Sequence, residues 1–494
     1  MTGAVTQEQA IPDASAQAQR GPVHEWRRAG VWVVLAACCF HLAYNLPAFG
    51  LAMLGYLFSL VQLANAQKVR PAVYGALAVG LLTAGPQLVC FWKIFGPGAV
   101  ALWAVLAFWL AFFVFLVRLC LIRFRNPLVI LLLIPVLWTG LAYFRSELYY
   151  LRFSWLNCGY ALASGPDLPL LHALGMYAVG FVLAAIAAAC AALSLPVGAS
   201  TLLATALLAT GIPFLFHRAP EHTEMGRGRA VRMAGVQLEF PSPIEVVSAL
   251  DELLRRERDA ELFVLSEYTF DGPVPEPVKS WCRRNHRYLV VGGKDEAPQG
   301  NFYDTAFVVD PNGEIVFKQV KAVPIQFFKD GLPAPEQRLW ISPWGKIGIC
   351  VCYDLSYTKV TDRLIRMGAE ALVVPTMDVV DWGLRQHQLH ARVAPVRSAE
   401  YGVPIFRVAS SGISQHTDKD GRVLASAAMP GQNETISSTV ILNGAGSLPL
   451  DRWLAPASTA VSLGLIVWFA VTSVSKRTRN QTGAFAQTEV DRIA

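Results

Sequence analysis

"GICVCYDLSY" (residues 348–357) reads as a buried strand that turns polar without warning. A core strand has no use for Cys352, Tyr353 and Asp354 at its end. A nucleophile held at a strand-to-helix corner does, because such a corner offers exposed sulfur and free backbone N–H groups. The surrounding chain favours the second reading. Five further apolar runs in residues 218–450 look like strands: "VRMAGVQLEF", "AELFVLSEYTF", "YLVVGGKD", "TAFVVDPNGEIVFKQ" and "GAEALVVPTMD". Amphipathic stretches at 243–259 and 384–401 look like helices between them. Strands alternating with helices predict a layered α/β domain.

The rest of the chain has a different solvent. Of 494 residues, 54% are hydrophobic and only 16% charged, against about 25% charged in soluble domains, so part of the chain belongs in a bilayer. The net charge of +6 forms no stripe of the kind that binds nucleic acid. Residues 29–217 carry apolar runs near 30–46, 48–66, 72–94, 99–121, 127–143, 169–194 and 198–217, and another lies at 453–474. About 20 apolar residues cross a bilayer, so these predict about seven transmembrane helices before the α/β domain and one at 451–474 after it. Residues 1–28 form a polar tail without a cleavage site, and 475–494 a second tail, whose residues 478–494 are expected to be without structure.

Basic residues set the orientation. Arg20, Arg27, Arg28, Lys68, Arg70, Arg123, Arg125, Lys476, Arg477 and Arg479 fall on one side of such a bundle, and Lys93, Arg145 and Arg152 on the other. The richer side is cytoplasmic, which puts 218–450 outside, in the periplasm of a bacterium with two membranes.

Three strand ends in the α/β domain carry chemistry: Glu267 after "LFVLS", Lys321 after "GEIVFKQV" and Cys352 after "IGICV". A thiol needs a base, which a carboxylate supplies. An ammonium stabilises the thiolate and then an oxyanion. Together they predict acyl transfer through a thioester. Each has a plainer reading alone: a core cysteine, a turn glutamate, a solvated lysine. Cys350, two residues before Cys352, reads as a small core residue, since a bridge between them would be strained. Nine cysteines without a CxxC give neither a zinc site nor a disulfide framework. His387 and His390 lack a third ligand and are expected to hydrogen-bond within the fold; no metal or cofactor is implied.

The order of these elements resembles the carbon–nitrogen hydrolase (nitrilase) superfamily and, over nearly the whole chain, its apolipoprotein N-acyltransferase family. "VCYDLSY" is similar to the nucleophile motif, "VLSEYTF" to the strand ending in the catalytic Glu, and "YDTAFVVDPNGEIVFKQVKAVPI" to the hairpin bearing the catalytic Lys. Downstream, "DWGLRQHQLHARVAPVRSAEYGVPIFRVASSGIS" resembles the family's Trp-x-Gly to Gly-x-Ser run. "RFSWLNCGYALASGP" resembles a segment that soluble members lack. The resemblance implies an αββα sandwich joined to a multi-pass membrane domain. It implies Glu267 as general base, Lys321 as stabiliser and Cys352 as nucleophile, with Tyr353, Asp354, Trp382 and Gly383 supporting the site or binding substrate. It implies a phospholipid acyl donor and the N-terminal amine of an S-diacylglyceryl-cysteine lipoprotein as acceptor. Lys318 is a rival to Lys321; strand alternation puts the two on opposite faces, and the motif spacing favours Lys321. The chain departs from the family at Gln319, at Asp354 and in the loop "VPIQFFKDG", which has no Glu at the matching place. That loop leaves two alternatives open, a membrane-tethered amidase or an acyltransferase for another amine.

Overall fold

The computed structural model describes residues 22–124, 126–163, 169–193, 228–429, 431 and 433–493. The chain begins with helices α1 (Pro22–Asn45), α2 (Met53–Ala64), α3 (Val69–Gln87), α4 (Cys90–Phe95), α5 (Gly98–Arg123) and α6 (Pro127–Tyr143). Short turns α7 (Cys158–Ala161) and α8 (Pro169–Leu174) precede α9 (Met176–Ala192). Among the described residues, four segments are long and apolar enough to cross a bilayer: Pro47–Ala64, Gly98–Arg123, Pro127–Leu148 and Asp451–Ser473. The expected span at 198–217 lies outside the described residues.

Prolines and glycines explain where helix bounds depart from the expected spans. Pro47 forces Leu46 into an extended conformation, which separates α1 from α2. The single span expected at 72–94 is two helices: Pro86 lies in the last turn of α3, and Leu88 leaves helical geometry. The span expected at 169–194 starts afresh after Gly175, whose φ is +83°. Small residues let the helices approach closely. Gly80 leaves no room for a Cβ against the Ala107 backbone, nor does Gly140 against Ser458.

The α/β region holds twelve strands: β1 (Arg229–Val236), β2 (Leu262–Val264), β3 (Tyr288–Glu296), β4 (Phe302–Val309), β5 (Ile315–Val320), β6 (Leu339–Ser342), β7 (Gly345–Ile349), β8 (Ala371–Thr376), β9 (Ile405–Ala409), β10 (Ser414–Thr417), β11 (Val423–Ala427) and β12 (Thr435–Leu442). They form two six-stranded sheets, ordered β12-β1-β2-β3-β4-β5 and β11-β10-β9-β8-β7-β6. Each has three central parallel strands, β1–β3 and β7–β9. Parallel strands need both faces covered, and their near-unbroken apolar runs reflect it. On the first sheet the cover is α10 (Pro243–Arg256) and α11 (Glu276–Asn285), whose Leu250, Val278 and Trp281 pack with Phe263 and Leu289. Ser242 and Glu245 close a reciprocal cap at the start of α10. On the second sheet lie α12 (Thr358–Arg366), α13 (Leu384–Ala391) and α14 (Val393–Tyr401). The helix expected over 384–401 is therefore two. Pro395 cannot donate to the carbonyl of Ala391 and clashes with it, so α13 stops there.

The result is a multi-pass helical region joined to an αββα sandwich. β12 runs antiparallel to β1 with Arg229 opposite Leu442, so the sandwich begins and ends at one place. From there the C-terminal helix α15 (Asp451–Ile493) returns along α6, with Thr459 Oγ1 donating to Gly140 O at 3.0 Å. Residues 478–494 were expected to lack structure. Instead α15 runs on to Ile493, and after Pro456 the chain has no further proline to stop it.

The sandwich sits against one end of the bundle. Carboxylates of Glu400 and Asp451 accept the first N–H groups of α9, from Met176 at 2.6 Å and Tyr177 at 2.9 Å. Glu147 accepts from the Tyr177 hydroxyl at 2.8 Å and from Thr358 N. Lys93 lies beside Gly383 at this end, and Arg145 holds the 149–157 segment through Phe153 O at 2.9 Å. At the opposite end the Arg123 guanidinium covers the Trp468 ring at 5.1 Å.

Candidate active site

Glu267, Lys321 and Cys352 converge from three strand ends. Lys321 follows β5, with its N–H donating to Asp304 O at 2.8 Å. Its ammonium is 2.6 Å from Glu267 Oε1, 2.7 Å from Asp330 Oδ2 and 3.3 Å from Asp304 Oδ2. All four side chains are buried. Lys318 points the other way and pairs with Asp295 at the surface, as the alternation of β5 requires.

Glu267 lies two residues past Leu265, under Gly292, where any Cβ would strike the Glu267 backbone. Its Oε2 accepts from Met377 N at 2.7 Å, leaving Oε1 for Lys321. Cys352 follows β7 at φ +50°, a left-handed conformation rare for a residue with a Cβ. The corner aims its thiol at the Glu267 carboxylate, and Sγ is 3.7 Å from Met377 O.

The electrostatics follow from burial and from charges. Burial pushes the Glu267 carboxyl up, but the Lys321 charge and hydrogen bonding outweigh it and hold Glu267 below its usual range. Burial pulls the Lys321 ammonium down, yet the carboxylates around it win and hold it well above its usual value. Burial and the Glu267 charge keep the Cys352 thiol well above the ordinary thiol range. The resting pair is thus thiol and carboxylate. Glu267, Asp304 and Asp330 offer oxygens within 4.8 Å of one another. The Lys321 ammonium fills the place a divalent cation would take among them.

The supporting residues divide. Asp354 does not face open space: its carboxylate accepts from Ala322 N at 2.9 Å, Val323 N at 2.8 Å and Val351 N at 3.4 Å. It ties the lysine loop to the nucleophile corner. Burial pushes its carboxyl up to about 7, with those donors opposing. Tyr353 and Trp382 line a cavity between sandwich and bundle. Gly383 lines nothing there; at φ +86° it starts α13. The His387–His390 pair faces the buried Asp378, which accepts from His390 Nδ1 at 2.8 Å and from Arg407 at 2.5 Å. Cys350 is a buried core residue.

The cavity is walled almost wholly by apolar groups. Phe91, Phe95, Leu102 and Leu106 come from the bundle, Phe153 and Trp155 from the linking segment, Phe327 and Phe328 from the lysine loop. Phe95 meets both loop rings edge-on, at 6.1 and 5.6 Å.

Two carboxylates escaped the sequence reading. The loop "VPIQFFKDG" has no Glu at the expected place, but Asp330, further on, reaches Lys321, held by Tyr268 Oη at 2.9 Å and Ile325 N at 2.7 Å. An acid nine residues past the lysine was the available signal. Asp304, in "NFYDTAFVV", was legible only as a polar break in a strand.

Comparison with known proteins agrees with this architecture. The family model for carbon-nitrogen hydrolase matches residues 221–449, and that for the apolipoprotein N-acyltransferase N-terminal domain matches residues 29–189. The chain belongs to the apolipoprotein N-acyltransferase family. Among relatives, an apolipoprotein N-acyltransferase of Shewanella oneidensis is 24% identical over 431 residues, 75% of this chain and 80% of that one. Another, from Geobacter metallireducens, is 25% identical over 60% of this chain and 65% of its own length. A deaminated glutathione amidase of Dictyostelium discoideum is 26% identical over 31% of this chain and 60% of that protein. Among solved structures, Saccharomyces cerevisiae Nit3, a nitrilase-superfamily member, matches 43% of this chain and 90% of its own, with 19% identity and a TM-score of 0.38. The chain thus joins a helical membrane region to a hydrolase-type sandwich.

Proposed function

We propose that the protein is a lipoprotein N-acyltransferase that moves a fatty acyl chain from a membrane phospholipid to the N-terminal amine of an S-diacylglyceryl-cysteine lipoprotein, through a thioester on Cys352. One observation carries the reading: Tyr353, the neighbour of Cys352 in the Glu267–Lys321–Cys352 cluster, lines an apolar cavity walled by bundle helices, which an acyl chain can enter without leaving the bilayer.

In the first half-reaction Cys352 Sγ attacks the ester carbonyl while Glu267 takes the thiol proton. Lys321 stabilises the oxyanion. Collapse breaks the C–O bond, and Glu267 returns the proton to the departing lyso-lipid oxygen. In the second half the amine attacks the thioester, Glu267 takes an amine proton, and as the C–S bond breaks it returns that proton to sulfur, leaving an amide and the free thiol. The catalytic region is 218–450, on the periplasmic side of the cytoplasmic membrane. The cation-poor end of the bundle, with Lys93 and Arg145, meets the sandwich, and the Arg123 end lies opposite, which supports this orientation.

The test uses purified protein in detergent with a phospholipid labelled in its acyl chain and no acceptor. Intact mass should show one acyl adduct in the wild type and none in Cys352→Ser, and a diacylglyceryl-cysteine peptide should then discharge it. An unlabelled wild type that releases amine from simple amides would instead establish a membrane-tethered amidase.

A further inference from the structure

Asp304 is a buried carboxyl beside Lys321 with no step in that mechanism. It lies at the middle of β4, fully buried, facing Lys321 at 3.3 Å. Apart from that ion pair, neither of its oxygens is hydrogen-bonded among the described residues. The groups around it are Glu267 beyond β2, Lys321 beyond β5, Asp330 in the following loop and Tyr268 beside Glu267, with Cys352 across the cluster. Three carboxyls surround one ammonium. Lys321 makes its short contacts to Glu267 and Asp330 and its longest to Asp304. Full ionisation would leave two negative charges uncompensated in a dry pocket, which is costly.

We propose that Asp304 is a positioning residue that stays protonated, donates its O–H to the Glu267 carboxylate, and so sets the basicity of Glu267. The inference rests on the reading of Cys352 as nucleophile. Burial and the Glu267 charge both push the Asp304 carboxyl well above its usual range, in accord with that geometry. The donated hydrogen bond keeps Glu267 ionised and ready to take the thiol proton. Loss of the Asp304 proton would place a third negative charge beside Glu267 and Cys352. That charge disfavours both the thiolate and the oxyanion, so acylation falls as pH rises through the Asp304 pKa. The alkaline limb of the rate profile then belongs to Asp304.

The test compares normalised pH profiles of thioester formation, from labelled phospholipid, in wild type, Asp304→Asn and Asp304→Ser. Both replacements can donate to Glu267 and neither can ionise. The wild type should lose about tenfold in rate per pH unit on its alkaline limb, as for one required proton. That limb should be absent in the variants. Superimposable profiles overturn the proposal, as does a folded Asp304→Asn that forms no thioester at any pH. If Asp304→Asn does not fold, the smaller Asp304→Ser carries the comparison. Cys352→Ala separates the two ideas: acylation surviving there sinks the nucleophile assignment, whereas an unmoved profile with a silent Cys352→Ala sinks only the role of Asp304.

Discussion

The indole N–H of Trp155 donates to Ser356 Oγ at 2.9 Å, across 201 residues of sequence. The same ring stacks on His390 at 4.6 Å and meets Tyr353 edge-on at 5.6 Å. The segment leaving the bundle is thereby clamped to the corner that carries Cys352. Arg397 braces that corner from the other side, donating to Leu355 O and Ser356 O.

Trp155→Ala should cost about 3–5 kcal/mol, the usual loss for a large buried aromatic, and thioester formation should fall with it. Trp155→Phe keeps the stack and loses one hydrogen bond, about 1 kcal/mol. Thermal unfolding in detergent reads both. Equal melting temperatures for the two variants would show that Trp155 is no clamp.

Cys350 and Cys352 are both buried and two residues apart, but only Cys352 has the left-handed corner and faces Glu267. Cys350→Ala should accept the labelled acyl chain and Cys352→Ala should not. Intact mass decides, and the reverse pattern would move the nucleophile.

Lys321→Met leaves three buried carboxyls without a cation, which should destabilise by about 3–5 kcal/mol, with partial recovery at lower pH as the carboxyls take up protons. Lys318→Met removes a partly exposed surface pair and should cost under about 1 kcal/mol. Denaturant midpoints at two pH values test both. A Lys318 variant as unstable as the Lys321 variant would contradict the two environments.

His416 on β10 bonds Ser438 Oγ at 2.7 Å, and burial lowers its pKa from 6.5 to about 4. The folded state therefore refuses a proton that the unfolded chain accepts. The stability this contributes is present above pH 6.5 and is lost as pH falls from there toward 4, about 3 kcal/mol in all. His416→Gln cannot titrate, so its melting temperature should fall less over that window. Parallel curves for the two proteins would mean that His416 is protonated in the fold.

Much of this was legible in short stretches. Six apolar runs of 218–450 covered seven strands, one run holding both β4 and β5; the central parallel strands read as unbroken hydrophobic stretches because they are buried on both faces. Strands β6 and β9 to β12 were not called from their patterns, being short or half polar. Helix bounds moved where Pro47, Pro86, Gly175 and Pro395 act on the backbone, a local effect that a hydropathy window averages away.

By itself the sequence determined the two solvents of this chain, the strand-to-corner setting of Cys352, and the placement of Lys318 and Lys321 on opposite faces of their strand. All of these follow from periodicity and polarity along a few neighbouring residues. Only the tertiary structure decided that Asp304 and Asp330 crowd Lys321, that Asp354 serves backbone N–H groups and faces no substrate space, and that Trp155 reaches Ser356. Burial and pairing between distant segments are properties of the packed chain, and the free energy of a charged group depends on which neighbours packing brings to it.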